Sequence, residues 1–254
     1  MNFISSTKLF YSFLFIFIIG SAVNAQIDTL TVDASSLDNK SISMGKSCYL
    51  IYTKKGKDLP ATDLTFVEME VFKTNYQNVA SYKIIQKWTE KDTLSHTSET
   101  ILKDSNLSTI YHKIWWRRSN QTSEIDYLSG KYIINGGDDK SKQRAEEGFK
   151  ASLSDLLFVN WHCDLHLFSL LPFNDKKVFK VKVYDPGFSA PRYEFYEVLG
   201  TEVIENNPCW ILNYKLPNNM GYQRFWISKS DRIVIKEEDN FRGNYRFKLK
   251  VINP

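Results

Sequence analysis

From Ser47 onward the apolar residues recur mainly at every second position, and this alternation limits the possible fold more than any other feature of the chain. In DLTFVEMEVFK, Leu64, Phe66 and Phe72 share one face while Val67, Met69 and Val71 take the other; in STIYHKIWWRR, Ile110, Ile114 and Trp116 oppose Tyr111 and Trp115. The pattern returns in KVFKVKVY, RYEFYEVLG, CWILNYKL and YRFKLKV. A period of two marks strands with one dry and one wetter face, because successive side chains leave a pleated backbone on opposite sides. Turn residues interrupt it at short intervals, at Lys55-Gly56-Lys57, Asn135-Gly136-Gly137-Asp138, Asp185-Pro186-Gly187, Asn206-Asn207-Pro208, Asn218-Asn219-Met220-Gly221 and Arg242-Gly243-Asn244. Such spacing favours an antiparallel meander over βαβ units, and about ten to twelve strands are expected.

One segment departs from the rule. The polar, Gly-punctuated stretch SKQRAEEGFK leads into ASLSDLLFVNWHCDLHLFSLLPF, which lacks alternation and has no Gly or Pro before Pro172. A single helix is expected there, over about 152–171. On a helical wheel Leu153, Leu156, Leu157, Trp161, Cys163, Leu167, Phe168 and Leu171 form a broad apolar arc. His162 and His166 fall opposite, beside Asp155 and Ser169, and are expected to face solvent. An i, i+4 histidine pair can chelate a metal, but zinc wants three or four protein ligands. The other two histidines, His96 and His112, lie in strand-like stretches without ligand spacing, so no metal is expected and a metal-assisted hydrolase around His162 and His166 is the weakest reading. Asn160 and Asp164 fall in the middle of the apolar arc, where a carboxylate needs partners. Either they bond strand backbone or an arginine such as Arg117 or Arg192 and fix how the helix docks, or they line a cavity and touch a ligand.

The N-terminal residues 1–25 read as a secretory signal peptide: Lys8, an apolar run over residues 9–19, then Val23 and Ala25 before the expected cleavage after Ala25. The run is shorter than the roughly 20 residues a spanning helix needs. Residues 26–46, rich in Ser, Asp and Thr, are expected to be a loosely ordered lead-in, and residues 47–254 a single domain. The mature chain is thus expected to be soluble, exported and periplasmic. The chain's net charge is +4, with both signs scattered, so no nucleic-acid footprint exists. Cys48, Cys163 and Cys209 are odd in number and widely spaced, which excludes a disulfide framework; a Cys48 to Cys209 bridge is the one pairing to test.

No G-x-S-x-G elbow, phosphate loop or H-E-x-x-H motif occurs. Carboxylate pairs such as Glu237-Glu238 and Asp138-Asp139 sit where solvation accounts for them. No catalytic residue and no cofactor is therefore assigned. Aromatic residues make up 15% of the chain, and they are spread over strands rather than gathered in one block. Trp88, Trp115, Trp116, Trp210 and Trp226 all fall in expected strands, and adjacent Trp115 and Trp116 must point to opposite faces.

Asn160-Trp161 with Asp164-Leu165, Tyr184-Asp185-Pro186-Gly187, Pro208-Cys209-Trp210 and Phe225-Trp226-Ile227-Ser228-Lys229 carry a resemblance to an uncharacterised family of secreted Gram-negative envelope proteins, with a half-barrel similar to that of the lipoprotein carrier LolA. The resemblance implies a mainly β fold, a curved antiparallel half β-barrel wrapped on one central α-helix, with an apolar hollow. It carries no catalytic residue to any position here. The expected function is a non-enzymatic envelope protein holding a lipid-like or other apolar ligand, with Trp116, Trp161, Asn160 and Asp164 as contacts. The alternative is a structural or protein-interaction module whose concavity is filled by side chains, partnered by an envelope protein.

Overall fold

The computed structural model describes residues 28–174 and 177–251; the expected signal peptide lies outside them. Its described residues form one curved, open sheet of fourteen strands, in the order β1-β9-β10-β11-β12-β13-β14-β2-β3-β4-β5-β6-β7-β8. Two meanders build it. The first runs β2 (Gly45–Lys54), β3 (Thr62–Tyr76), β4 (Val79–Glu90), β5 (Thr93–Lys103), β6 (Thr109–Trp116), β7 (Gln121–Asp126) and β8 (Lys131–Asn135). The second runs β9 (Lys177–Val183), β10 (Arg192–Ile204), β11 (Asn207–Lys215), β12 (Gly221–Ser228), β13 (Val234–Phe241) and β14 (Asn244–Val251). Antiparallel pairing of β14 with β2 joins them.

Turn chemistry explains the tight connections. Gln77 and Asn78, Lys91 and Asp92, Glu205 and Asn206, and Arg242 and Gly243 all have positive φ, the two left-handed residues that suit the twist of a short hairpin. The first two of these turns have no Gly or Pro and left no mark among the turn signals of the sequence. The alternation holds well: Val67, Met69 and Val71 are buried, while Leu64, Phe66 and Phe72 stay on the outer face.

The lead-in is more ordered than expected. β1 (Asp28–Thr31) pairs in parallel with β9, and Leu37 and Ile42 are buried in the main core. Cys48, Cys163 and Cys209 are free. Cys48 on β2 and Cys209 on β11 have three strands between them, about 19 Å of sheet, too far for a bridge.

The helix forms in a different place. Residues 139–152, the polar stretch, make the long helix α1 (Asp139–Ser152), capped by Asp138, whose Oδ1 accepts from the Ser141 N–H at 2.7 Å. Ala145, Gly148, Phe149 and Ser152 form its buried stripe. Gly148 is not a break: a Cβ there would lie 1.9 Å from the Phe188 carbonyl oxygen, so the glycine permits the close contact. Over the expected helix, only α2 (Asp164–Phe168) is helical. Two local competitors stop the rest. Asp155 accepts from the Leu157 N–H and Asn160 from the His162 N–H, side-chain bonds that replace helical ones. Val159 instead bonds the end of β9, its N–H donating to Lys182 O at 2.9 Å and its carbonyl accepting from Tyr184 N–H at 3.0 Å. Residues 153–174 therefore cross the concave face as an irregular covering segment with one short helix.

A tryptophan and histidine stack over a buried ion ladder as candidate functional site

Strand register builds one wall of the site. Trp88 on β4 faces His96 on β5, which faces Trp116 on β6. Direct cross-strand neighbours share a face, so the three rings form a row on the concave side. His96 stacks on Trp116 at 3.6 Å between ring centroids. The covering segment adds Trp161, nearly parallel to Trp116 at 5.9 Å and tilted against Trp88 at 5.2 Å. Trp116 and Trp161 keep partial exposure. The structure thus brings these two expected contact residues together.

His162 does not face solvent as the wheel required. It is 3% exposed, because without a helix its side chain turns onto β4 to β6. Its carbonyl accepts from Gln86 Nε2 at 2.6 Å, and its Nε2 meets His96 Nε2 at 2.7 Å. The tautomers follow from the partners. His96 Nδ1 lies 2.7 Å from the Trp115 carbonyl and must donate to it, so His96 Nε2 accepts and His162 Nε2 donates. That leaves His162 Nδ1 a bare, buried acceptor without a partner. Burial pushes His96 down to about 4 and His112 to about 3, and holds His162 well below the ordinary histidine range. All three are neutral at pH 7.

His166 lies elsewhere, in a space of about 50 Å³ lined with Tyr49, Val234 and Lys250. Burial likewise pushes it down to about 4. The two histidines thus meet different walls instead of sharing one polar face. Among the described residues no group of three or more His, Cys, Asp or Glu is arranged to hold a metal ion.

The second wall is charged. Register places Glu237 opposite Lys248 and Asp239 opposite Arg246 across β13 and β14. Arg246 donates from Nη2 to Glu237 Oε1 at 2.9 Å and from Nε to Asp239 Oδ2 at 2.7 Å. Lys248 Nζ approaches Glu237 Oε2 at 2.5 Å, and both residues are 1% exposed. Burial alone would raise Glu237, yet Lys248 and Arg246 hold it below its ordinary value. Asp239, buried and beside Glu237, is pushed up to about 6. The expectation of a solvated Glu237-Glu238 pair therefore fails at both residues, since Glu238 is also buried, accepts from the Tyr222 hydroxyl at 2.8 Å and pairs with Lys236 at 3.0 Å. A signal existed: Glu237 and Asp239 before the Arg242-Gly243 turn, and Arg246 and Lys248 after it, are same-parity positions that an antiparallel hairpin superposes.

Asp164 lies in this field. It is buried, accepts from the Leu165 N–H at 2.7 Å, and engages neither Arg117 nor Arg192. Arg192 instead pairs with Glu194 at 2.6 Å. Burial drives the Asp164 carboxyl well above its ordinary range against the pull of Lys248, with Glu237 adding to the rise. Asn160 uses Oδ1 on the local turn and leaves Nδ2 buried without a partner.

The expected apolar hollow is occupied by the chain itself. Leu165, Leu167, Phe168 and Leu171 fill the concave face, Phe168 meeting Tyr196 at 4.7 Å and Phe225 at 5.0 Å. The void left beside Leu37, Leu157 and Phe168 is about 10 Å³. Open space lies at the rim instead, in a cleft of about 400 Å³ lined by Thr53, Lys54, Asp239, Phe241, Tyr245 and Arg246. Arg246 links this cleft to the aromatic stack, its guanidinium lying 5.2 Å over the Trp161 ring.

No curated protein matches the chain. Among solved structures it is similar to a putative outer membrane lipoprotein-sorting protein domain from Vibrio parahaemolyticus, at 9% identity, covering 86% of this chain and 92% of that one with a TM-score of 0.31. It is also similar to a β-barrel-like protein of domain of unknown function DUF1849 from Brucella abortus, at 7% identity, 82% and 97% coverage and a TM-score of 0.34. A third similarity is to the lipoprotein LppX of Mycobacterium tuberculosis, at 10% identity, 85% and 89% coverage and a TM-score of 0.28. Residues 48–250 match the family described as protein of unknown function, DUF3108, and since they make up most of the chain, the protein belongs to that family.

Proposed function

We propose that this protein is an exported, non-enzymatic binding protein of the cell envelope, which takes a lipid-like or other apolar ligand at the open rim of its sheet. The observation that carries this reading is the pair Trp116 and Trp161, near-parallel, partly exposed, and joined through Arg246 to a cleft of about 400 Å³. That volume falls within the range of small-molecule sites, and large rigid aromatic surfaces are their usual lining. Asn160 and Asp164 act beneath the stack, in the covering segment that presents Trp161. The filled interior is the feature expected of the alternative, a structural or protein-interaction module, so the ligand reading now rests on the edge of the concavity and no longer on its centre.

Native mass spectrometry of the protein purified without detergent from its own compartment tests the reading. An added mass removed by organic extraction, and lost in Trp161→Ala, supports it. Titration of the extracted molecule against tryptophan fluorescence should then show affinity weakened about tenfold or more in Trp161→Ala. A protein that carries no extractable mass and shows no fluorescence response to acyl chains counts against it.

A further inference from the structure

The concavity has a second mouth, at the end of the sheet away from the rim cleft. Asp63, which lines that cleft, and Lys73 stand at opposite ends of β3, about 33 Å apart along the strand. At the far end Lys73 lies opposite Tyr82, and Tyr82 opposite Leu102. This row shares the concave face with the next one, where Val71 lies opposite Ile84. The lead-in passes beside it, tied down where the Asp38 N–H donates to Leu170 O at 3.1 Å. Between the lead-in and the ends of β3 to β5 lies a groove of about 590 Å³, within the range of small-molecule sites.

We infer that this groove binds an amphiphile with an apolar tail and an anionic head. Its apolar lining comes from both sides: Tyr82 on β4 is 4% exposed, and the lead-in supplies Ile42, 6% exposed, and Met44, 58% exposed. Its charge is one-sided. Lys40, Lys73 and Lys103 line it against Asp104 alone, so three positive charges less one negative leave a net of two. Among the described residues Lys40 and Lys103 enter no ion pair, and Lys73 meets Asp104 at 3.6 Å between solvent-exposed side chains, a pair that holds little energy. The Lys73 ammonium lies 5.3 Å over the Tyr82 ring, which sets a cation directly above the apolar lining. A cationic head meets repulsion here, and a bare inorganic anion leaves Tyr82, Ile42 and Met44 without a contact. One molecule with both parts satisfies both halves of the cavity. The groove shares no lining residue with the rim cleft, so the inference holds whether or not that cleft takes a ligand.

Titration of the purified protein with dodecyl phosphate, kept below its micelle concentration, decides the matter by calorimetry and by the NMR signal of the Met44 methyl group. Saturable one-to-one binding that shifts this signal is expected. Charge reversal of the two exposed lysines together, Lys73→Glu with Lys103→Glu, should weaken it about tenfold or more and leave the circular dichroism spectrum unchanged. Met44→Asp, also at an exposed position, supplies an independent second variant and should weaken it as well. Dodecyltrimethylammonium should bind at least about tenfold more weakly than dodecyl phosphate, and inorganic phosphate should leave the Met44 signal in place. Absence of binding overturns the inference, as do equal affinity for the two amphiphiles, inorganic phosphate binding as tightly as dodecyl phosphate, or a response to anionic phospholipid vesicles alone. Trp161→Ala should bind dodecyl phosphate unchanged. Binding lost in Trp161→Ala but kept in the lysine variant would assign the amphiphile to the rim cleft and overturn the inference too, so failure here and failure of the rim site are separately visible.

Discussion

The covering segment meets two unlike walls. Toward β9 to β12 it sets Phe168 against Tyr196 and Phe225, and Leu171 beside Val181, an apolar contact without direction. Toward β4 to β6 and β13 to β14 it meets neutral histidines, Gln86 and the ladder of Glu237, Asp239, Arg246 and Lys248. Both walls derive from alternating strands, yet they constrain differently. The apolar wall stabilises the segment by removing area from water. The polar wall tolerates few positions, because each buried donor and acceptor must find its partner or lose the cost of desolvation.

The largest expected effect comes from breaking the polar wall on one side only. Lys248→Met leaves Glu237 buried with Arg246 as its remaining close cation and should cost about 3 to 5 kcal/mol in urea unfolding; pairing it with Glu237→Leu should recover most of that loss. A single-variant cost below about 1 kcal/mol would show that the ladder is solvated in solution. On the apolar wall, Phe168→Ala should cost about 3 to 4 kcal/mol, and this loss should be nearly independent of salt and pH.

Acid titration sharpens the contrast. Burial lowers His162 in the folded protein, so the unfolded chain binds the extra proton first as pH falls below about 6.5. The stability tied to His162 is therefore complete above that pH and is lost on acidification at about 1.4 kcal/mol per pH unit. Asp164, Asp185 and Asp239 are shifted upward and work in the opposite sense, so the wild-type curve alone mixes both. The difference between wild type and His162→Gln isolates the histidine: the variant should be flatter by about one proton between pH 6.5 and 5. Parallel curves would mean that His162 is exposed to solvent.

Asp164→Asn should have the smallest effect, below about 1 kcal/mol, because burial shifts the carboxyl toward its neutral form and an amide resembles the neutral acid. A loss of several kcal/mol would instead assign Asp164 an ionised role in docking the segment. Differential scanning calorimetry at pH 7 with both proteins distinguishes the two.

Much of this architecture was legible in the residues themselves. The alternation around Val67, Met69 and Val71 dictated strands and their buried face, and adjacent Trp115 and Trp116 were bound to diverge, because a pleated backbone has a fixed period. The pairing of Trp116 with Trp161 was legible only as two candidates on separate elements. Their stacking depends on where residues 153–174 cross the sheet. That path is a tertiary outcome: the apolar arc suited a helix, but Val159 found backbone partners at the end of β9, and Asp155 and Asn160 closed turns of their own. Once the helix was lost, His162 moved from the expected wet face to the core, where its partner is His96, 66 residues away. Local periodicity therefore determined which faces are apolar, since that depends on neighbours in the chain. Only the tertiary structure decided which buried polar atoms meet, since hydrogen bonds and ion pairs depend on distance across strands that sequence order does not encode.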